Sequence, residues 1–583
     1  MGFSAEVKML AGKYIQEDDH SKSDYFSLIK ELVNRRSRYE VKSPEFSDWQ
    51  EEIDRIYEQV RDEILTNKQK PNTPVKFGTS GWRGIIGKDI FVKSVQQVTM
   101  AIVAIYREIE KTPELAEILG VGTFPEVITR GCVVGFDNRF GGRLLAGAVN
   151  DVLTSNGIRV HYAGESTTGV LSAALLELQA AFSINLTPSH NPLEYGGYKF
   201  NGADGGPASS VITNLITERA REIIEADLPI TASGDQSLVT EFNSLELWKS
   251  LVRKNRKRHG LDYDGIITSF AHDREVVMAV DCVHGASRRH IRELITGGSA
   301  ETADDRLIIL RGESDPTFGG VAPEPSSSNM KPVMQALAAR PEPLKFGAVI
   351  DPDGDRVRMS DGTVEIDMNL FGAMAYDFLH EHKGLTGMVA KTVATSNFAN
   401  KLAEDFGEEV YESKVGFKEF KPVIGKALVL FEESDGISVC GHTPEKDAYI
   451  GLLLGLDMVM SLRKNLGEYL HEIEEKHGFY YPAKDGLVVS SSGVKLKSTL
   501  ALLEKYSAGS IIRVGEENRR ITKIIDIDGR KMVLDDGSWL MIRPSGTEPK
   551  VRFYVEARDQ GKQAALFAAA KAMLAEIGLL QEG

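Results

Sequence analysis

The spacing of apolar residues along this chain changes near residue 75. Before it, Ile53, Ile56, Tyr57, Val60 and Ile64 recur three or four positions apart with charged residues between them, the pattern of one buried face of an α-helix. The segment Asn67–Pro74, NKQKPNTP, carries two prolines and no apolar side chain, so it reads as a linker behind an appended helical region. From Val75 onward short β-rich runs alternate with helical stretches, as in α/β units. The expected strands are Gly131–Phe136, Val276–Val280, Arg306–Leu310, Phe346–Ile350, Gly387–Lys391 and Val551–Ala557. The Ala- and Leu-rich run Lys562–Leu580 is expected to be a helix. No short exact repeat marks the units, but similar stretches recur at domain-sized intervals. A chain of 583 residues exceeds one hydrophobic core and should divide into about three to five domains.

Composition narrows the class. With 42% hydrophobic and 26% charged residues the chain is of ordinary soluble globular type. A net charge of −15 argues against a general nucleic-acid binder. The dense basic run Arg253–Arg258, RKNRKR, reads as a solvated helix face or loop. Cys132, Cys282 and Cys440 lie far apart and form no CxxC, which excludes a disulfide framework or zinc knuckle and suits a reducing cytoplasm. The N-terminus lacks a charged segment followed by an apolar one, and Glu6 stands where a myristoylation signal wants Ser or Thr. The apolar run Tyr449–Leu462 is interrupted by Asp457 and is too short to span a bilayer. These features predict a cytoplasmic protein with neither a nucleic-acid nor a membrane partner, and leave its oligomeric state open.

Four segments carry candidate chemistry. In TPSHNP (Thr187–Pro192), Ser189 lies between two prolines, on a stiff turn that can present its hydroxyl. A serine needs a base or a metal to become a nucleophile. Lys199 follows ten residues on, and Tyr195-Gly196-Gly197 supplies a bend that could bring it back. In DPDGDR (Asp351–Arg356), directly after the expected strand, three carboxylates at alternate positions can converge on one hard cation such as Mg²⁺. An EF-hand does not fit, because Arg356 stands at its glycine position and Gly362 at its closing glutamate. In FEESDG (Phe431–Gly436), Glu432, Glu433 and Ser434 suit hydrogen bonding to sugar hydroxyls. In RPSGTEPK (Arg543–Lys550), the Arg543 fork and the polar groups of Ser545, Gly546 and Thr547 suit a phosphate dianion. Each has a plain alternative: a serine turn, three solvated aspartates, an acidic loop, a Pro-Gly turn. One reaction calls for all four.

The chain has no GxxxxGK[ST] loop, HExxH helix or GxSxG elbow, so the nucleotide-kinase, metalloprotease and α/β-hydrolase readings lack support.

The ordered set KFGTSGWRG (Lys76–Gly84), VGFDNR (Val134–Arg139), TPSHNP, DPTFGGVAPEP (Asp315–Pro325), DPDGDR, KTVATS (Lys391–Ser396), VGFK (Val415–Lys418), EES and RPSGTEP resembles the α-D-phosphohexomutase family from about Val75 to the C-terminus. FEES followed by EKDAYIG, together with GFK, is most similar to its phosphoglucomutase branch. The resemblance implies an α/β fold of four domains around a central cleft, one loop from each, behind an N-terminal helical extension. The boundaries expected are about 1–74, 75–265, 266–365, 366–490 and 491–583.

By the same resemblance Ser189 is the phosphorylated serine and joins Asp351, Asp353 and Asp355 in holding one Mg²⁺. Arg83 and Arg356 would flank the reacting phosphoryl group, and His190 beside the serine belongs to the catalytic set. Lys199 and Lys418 would do acid–base work, with Lys199 accepting the hydroxyl proton. Glu432 and Ser434 would meet sugar hydroxyls, and Arg543, Ser545, Gly546 and Thr547 the non-reacting phosphate. The implied activity interconverts glucose 1-phosphate and glucose 6-phosphate, with glucose 1,6-bisphosphate as intermediate and activator. The alternatives are a phosphomannomutase or dual-specificity mutase, a glucose 1,6-bisphosphate synthase, a phosphatase, and a non-catalytic sugar-phosphate sensor. The chain departs from the family pattern at Pro188, usually Ala, at Asp435, usually Gly or Tyr, and at Ser166-Thr167-Thr168, where Pro-Thr-Pro is common. Phe417 stands where the phosphomannomutase branch has His.

Overall fold

Three helices open the chain in the computed structural model, which describes residues 3–16, 18–78, 81–298, 305–489, 493–544 and 550–580. They are α1 (Phe3–Tyr14), α2 (Tyr25–Arg36) and α3 (Pro44–Thr66). The Ser43 hydroxyl accepts from the Phe46 N–H and Pro44 occupies the first turn of α3, two features that start a helix where the sequence places it. The buried face of α3 is the expected stripe extended by Trp49. This region is not merely appended. Leu28, Ile29, Leu32, Ile53, Ile56 and Val60 lie in the same core as Val95, Val98, Ile102 and Tyr198 of the α/β region that follows. Each such buried aliphatic side chain contributes about 1.5–3 kcal/mol relative to exposure, so the helices and that region stabilise one another.

The chain forms two compact units. The first comprises Met1–Lys257, Leu261–Glu365 and His442–Arg463 and contains two sheets. Its larger sheet has the order β1-β2-β6-β5-β3-β4-β7, from β1 (Phe77–Gly78), β2 (Gly81–Ile85), β3 (Cys132–Phe136), β4 (Val160–Glu165), β5 (Phe182–Leu186), β6 (Tyr195–Gly202) and β7 (Val239–Glu241). The second runs β12-β11-β10-β8-β9, from β8 (Val276–Asp281), β9 (Leu307–Leu310), β10 (Leu344–Ile350), β11 (Val357–Ser360) and β12 (Glu365–Ile366). The apolar run near residue 450 forms the buried helix Ala448–Leu462. The basic run lies on the helix Ser244–His259, where Arg253, Lys254 and Arg256 pair with Asp264, Glu177 and Asp262.

The second unit comprises Arg258–Gly260, Ile366–Gly441 and Lys464–Gly583. It holds a sheet β14-β13-β15-β16, from β13 (Val389–Thr392), β14 (Val410–Ser413), β15 (Val429–Glu432) and β16 (Gly436–Val439). Its other sheet is wholly antiparallel, β17-β22-β21-β20-β19-β18, from β17 (Tyr481–Val488), β18 (Ile511–Val514), β19 (Glu517–Ile525), β20 (Arg530–Leu534), β21 (Trp539–Pro544) and β22 (Lys550–Ala557). The C-terminal helix is Gln563–Glu576.

A repeat hidden in the sequence appears in the topology. In three sheets a strand with a parallel neighbour is followed directly by an antiparallel partner: β5 by β6, β10 by β11, β15 by β16. The serine, aspartate and EES loops are those three connections, each at the carboxyl end of a parallel strand, where open α/β sheets bind ligands.

Candidate active site

The serine loop is held in a conformation that a serine alone would not choose. Ser189 has φ +62°, a left-handed backbone uncommon outside glycine, and is 1% exposed. Its surroundings impose this. Arg139, buried at the end of the VGFDNR segment, donates from Nη2 to the carbonyls of Ser189 (2.8 Å) and Asn191, and from Nη1 to those of Pro192 (2.6 Å) and Tyr195 (3.2 Å). Asp137 accepts from the Thr187 hydroxyl at 2.6 Å, and that hydroxyl accepts from the Ser189 N–H at 2.9 Å. The Ser189 hydroxyl thereby points at Asp351 and donates to its Oδ2 at 2.9 Å, with His190 Nδ1 at 3.3 Å.

Tyr195-Gly196-Gly197 is not the bend the sequence suggests. It lies within β6, and Lys199 returns to the site because β6 runs antiparallel to β5, with Asn185 opposite Lys199. Gly197 serves close approach: a Cβ there would lie 2.2 Å from the Thr187 carbonyl oxygen and 2.6 Å from Pro188 N.

Asp351, Asp353 and Asp355 are buried and offer carboxylate oxygens within 4.8 Å of one another. The loop is built by its own first member, since Asp351 Oδ1 accepts from the N–H groups of Asp355 and Arg356, each at 3.0 Å. Gly354 takes φ +64°, and a Cβ there would lie 2.6 Å from the Thr167 side chain. Lys199 Nζ donates to Asp353 Oδ2 at 2.6 Å and Asp355 Oδ2 at 2.8 Å. Thr168, at the start of the helix Thr168–Glu177, donates from its hydroxyl to Asp353 Oδ2 at 2.7 Å. This gives a purpose to the departure at residues 166–168: a threonine in this place supplies a donor that proline lacks.

The electrostatics are lopsided. Burial and the two neighbouring carboxylates push Asp351 well above the usual carboxylate range. Burial acts the same way on Asp355, but Lys199, Lys446 and Arg356 outweigh it and hold Asp355 well below that range. For Lys199, burial favours the neutral amine, and Asp353 and Asp355 overcome it and keep the ammonium charged. Arg356, burial and Arg83 hold His190 well below an ordinary histidine. Burial and Arg356 lower Arg83, whose Nε is buried without a hydrogen bond.

The structure therefore brings together Ser189, His190, Lys199, Arg83, Arg356 and the three aspartates. Sequence reasoning quoted VGFDNR and EKDAYIG but gave no role to Asp137, Arg139, Glu445 or Lys446, and it named Thr168 only as part of a departure from the family pattern. Lys446 is buried with Nζ 3.8 Å from Asp355 Oδ2, and the neighbouring Glu445 is pushed by burial up to about 7. The EKDAYIG motif itself was the available signal for the last pair.

The remaining candidates lie in the second unit. Glu432, buried, ends β15, and the turn to β16 passes through half-buried Ser434 and through Asp435 at φ +69°. A left-handed position there accounts for glycine elsewhere in the family, and aspartate tolerates it. Glu433 accepts from the Thr392 hydroxyl at 2.8 Å. Lys418 lies half-buried in the 3₁₀ segment Phe417–Val423. Arg543, near the end of β21, pairs through Nη2 with Asp528 at 2.9 Å, and its Nε is buried without a hydrogen bond. Ser545, Gly546 and Thr547 lie outside the described residues.

Comparison with known proteins identifies the family. Models of the phosphoglucomutase/phosphomannomutase family match in chain order: α/β/α domain I over residues 74–227, domain II over 264–364, domain III over 367–477 and the C-terminal domain over 499–572. A phosphoglucomutase of Komagataeibacter xylinus is 27% identical over 541 residues, covering 85% of this chain and 90% of that protein. A probable phosphoglucosamine mutase of Methanosphaera stadtmanae is 26% identical over 500 residues, 84% and 95% of the two chains. Among solved structures, a phosphomannomutase described as putative from Thermus thermophilus superposes with a TM-score of 0.68 at 25% identity, over 86% of this chain and 99% of that one. The chain belongs to the α-D-phosphohexomutase family. It is an enzyme of the mutase class, whose members transfer phosphate within a sugar phosphate. Among the described residues, no helix is long and apolar enough to cross a membrane.

Proposed function

We propose that the enzyme is a phosphoglucomutase that interconverts glucose 1-phosphate and glucose 6-phosphate through phospho-Ser189 and glucose 1,6-bisphosphate. The observation that carries this reading is the Ser189 hydroxyl, 2.9 Å from Asp351 in a buried carboxylate triad that also grips Lys199. The donor set fits a hard divalent cation. Asp353 Oδ1 and Asp355 Oδ1 are buried carboxylate oxygens with no hydrogen bond, the latter with Arg356 Nε at 3.7 Å, and burial of such oxygens is costly unless enough positive charge faces them. Mg²⁺, when bound by the three aspartates and the serine phosphate, would neutralise charge on the phosphoryl oxygens.

In the proposed cycle the bond from phosphorus to Ser189 Oγ breaks as a bond to the free sugar hydroxyl oxygen forms. The bisphosphate then turns over and returns its other phosphoryl group to the serine. Arg83 and Arg356 face the transferring group. Lys199, whose Nζ lies 2.6 Å from Asp353 Oδ2 and 2.8 Å from Asp355 Oδ2, is proposed to relay the proton: it accepts that of the sugar hydroxyl, as the sequence reading has it, and delivers one to the departing serine oxygen, so that the ammonium ends as it began. Glu432 and Ser434 are proposed to meet the sugar hydroxyls, Lys418 to share the acid–base work, and Arg543 with Ser545, Gly546 and Thr547 to hold the non-reacting phosphate. Added glucose 1,6-bisphosphate would act as activator by rephosphorylating enzyme that has lost its phosphate.

A second reading, a mutase of glucosamine or mannose phosphates, draws on relatives of similar identity that carry those names. A coupled assay with glucose, mannose and glucosamine 1-phosphates tests the choice. The proposal expects the highest kcat/KM for glucose 1-phosphate, and equal or higher values for another sugar overturn it.

A further inference from the structure

We propose that the N-terminal helices, which precede the first matched family domain, position the Ser189 loop, with Arg36 as the positioning residue. Arg36 ends α2 and is 6% exposed. Its Nη2 donates to Asp315 Oδ2 at 3.3 Å and to the Thr317 hydroxyl at 3.1 Å. Its Nη1 is held by Gln50 of α3, and the Phe46 ring lies 5.3 Å from the guanidinium carbon. Two N-terminal helices thus aim one buried guanidinium at the segment Asp315–Thr317.

That segment leads to the serine. Asp315 folds it, accepting at Oδ1 from the N–H (2.8 Å) and hydroxyl (2.6 Å) of Thr317. The Asp315 carbonyl accepts from Asn138 Nδ2 at 3.0 Å. Phe318, fully buried, sets its ring 4.9 Å from the Arg139 guanidinium carbon. Arg139 in turn grips the carbonyls of Ser189, Asn191, Pro192 and Tyr195. The path from Arg36 to Ser189 therefore runs through half-buried Asp315 and buried Thr317, Phe318 and Arg139. A second strut reaches the same loop, Lys30 Nζ to Glu194 Oε1 at 2.7 Å. With the Lys30 side chain 44% exposed, that pair is screened and weak, so Arg36 carries the effect. A serine held in a left-handed conformation needs support from every side, and this is its support from behind.

The inference rests on Ser189 being the phosphoryl carrier, and the experiment separates the two. Arg36→Met, Arg36→Lys and Ser189→Ala are made in the full-length enzyme and assayed with glucose 1-phosphate, Mg²⁺ and glucose 1,6-bisphosphate. A slight misplacement of the nucleophile predicts that Arg36→Met loses about 10- to 100-fold in kcat. KM should stay within about threefold, as for a group acting on the reacting atoms alone. Arg36→Lys should recover part of the loss. If Arg36→Met does not fold, Asp315→Asn, which keeps the side-chain shape, gives the same readout. Parental kcat in a folded Arg36→Met, or a fall in kcat matched by a rise in KM, overturns the inference. Full activity in Ser189→Ala would overturn the reading of the site instead.

Discussion

The hydroxyl of Ser189 donates to Asp351 across 2.9 Å, joining two residues 162 positions apart in the chain. The bond places the proposed phosphoryl carrier, on one sheet's loop, against the acidic loop of the next. Two consequences follow from that contact. A phosphate on Ser189 would enter a region already crowded with carboxylates, and the positive groups around it must offset the repulsion.

Metal removal should stop turnover. Two like charges at ~4 Å repel by about 4 kcal/mol at an effective dielectric of ~20, and Lys199 offsets only part of this among three aspartates. Chelation is expected to abolish activity and Mg²⁺ to restore it. Mg²⁺ at 100 times its Kd should also stabilise the fold by about 2.7 kcal/mol, read as a rise in Tm. A chelated enzyme with unchanged rate and Tm would contradict the assignment of Asp351, Asp353 and Asp355.

Arg543→Ala should weaken binding of both hexose 1-phosphate and hexose 6-phosphate. A hydrogen bond to a charged group is worth roughly 1.5–3 kcal/mol, or about 10- to 150-fold in affinity. More bisphosphate should escape during reorientation, so the variant should need more added glucose 1,6-bisphosphate than the parent. An unchanged requirement, measured by titrating the activator, would mean that Arg543 is not the phosphate clamp.

Much of this site was legible because its key residues lie on short contiguous loops directly after strands. Ser189 and the three aspartates each declare themselves within six residues of sequence. What was not legible depends on tertiary approach. Thr168 meets Asp353 across 185 positions, and its local sequence shows a departure from the family pattern but not the partner it serves. Gly196-Gly197 read as a bend because glycine pairs usually are one, whereas here glycine lets β6 pass the serine loop. The stripe on α3 showed that the helix buries a face, but a period cannot name its partner, so a region inside a shared core looked appended.

Gly197→Ala should be damaging out of proportion to its size. The added Cβ would meet main-chain atoms of Thr187 and Pro188 at 2.2 and 2.6 Å, which cannot rotate away. Overpacking of this kind costs typically about 1–3 kcal/mol, and displacement of the serine loop should lower kcat as well. Denaturant unfolding with a parallel rate measurement checks both, and parental values in each would refute the close approach.

Stability should fall on mild acidification through His290. Burial, with Arg289 and Lys249 nearby, lowers this imidazole from 6.5 to about 4. The folded protein therefore binds fewer protons than the unfolded chain between those values, so stability drops as pH falls from about 6.5 towards 4. A shift of this size is of order 3 kcal/mol. His290→Gln should flatten the slope in that window, and an unchanged slope would assign it to other groups.

The central claim is a phosphoryl group carried by Ser189, and label transfer tests it most directly. Enzyme incubated with glucose 1,6-bisphosphate labelled in its phosphates should take up one label per chain, located by peptide analysis on Ser189. Unlabelled glucose 1-phosphate should then discharge that label into sugar phosphate and not into free phosphate, and Ser189→Ala should take up none. Label on another residue, or steady turnover by Ser189→Ala, would contradict the account.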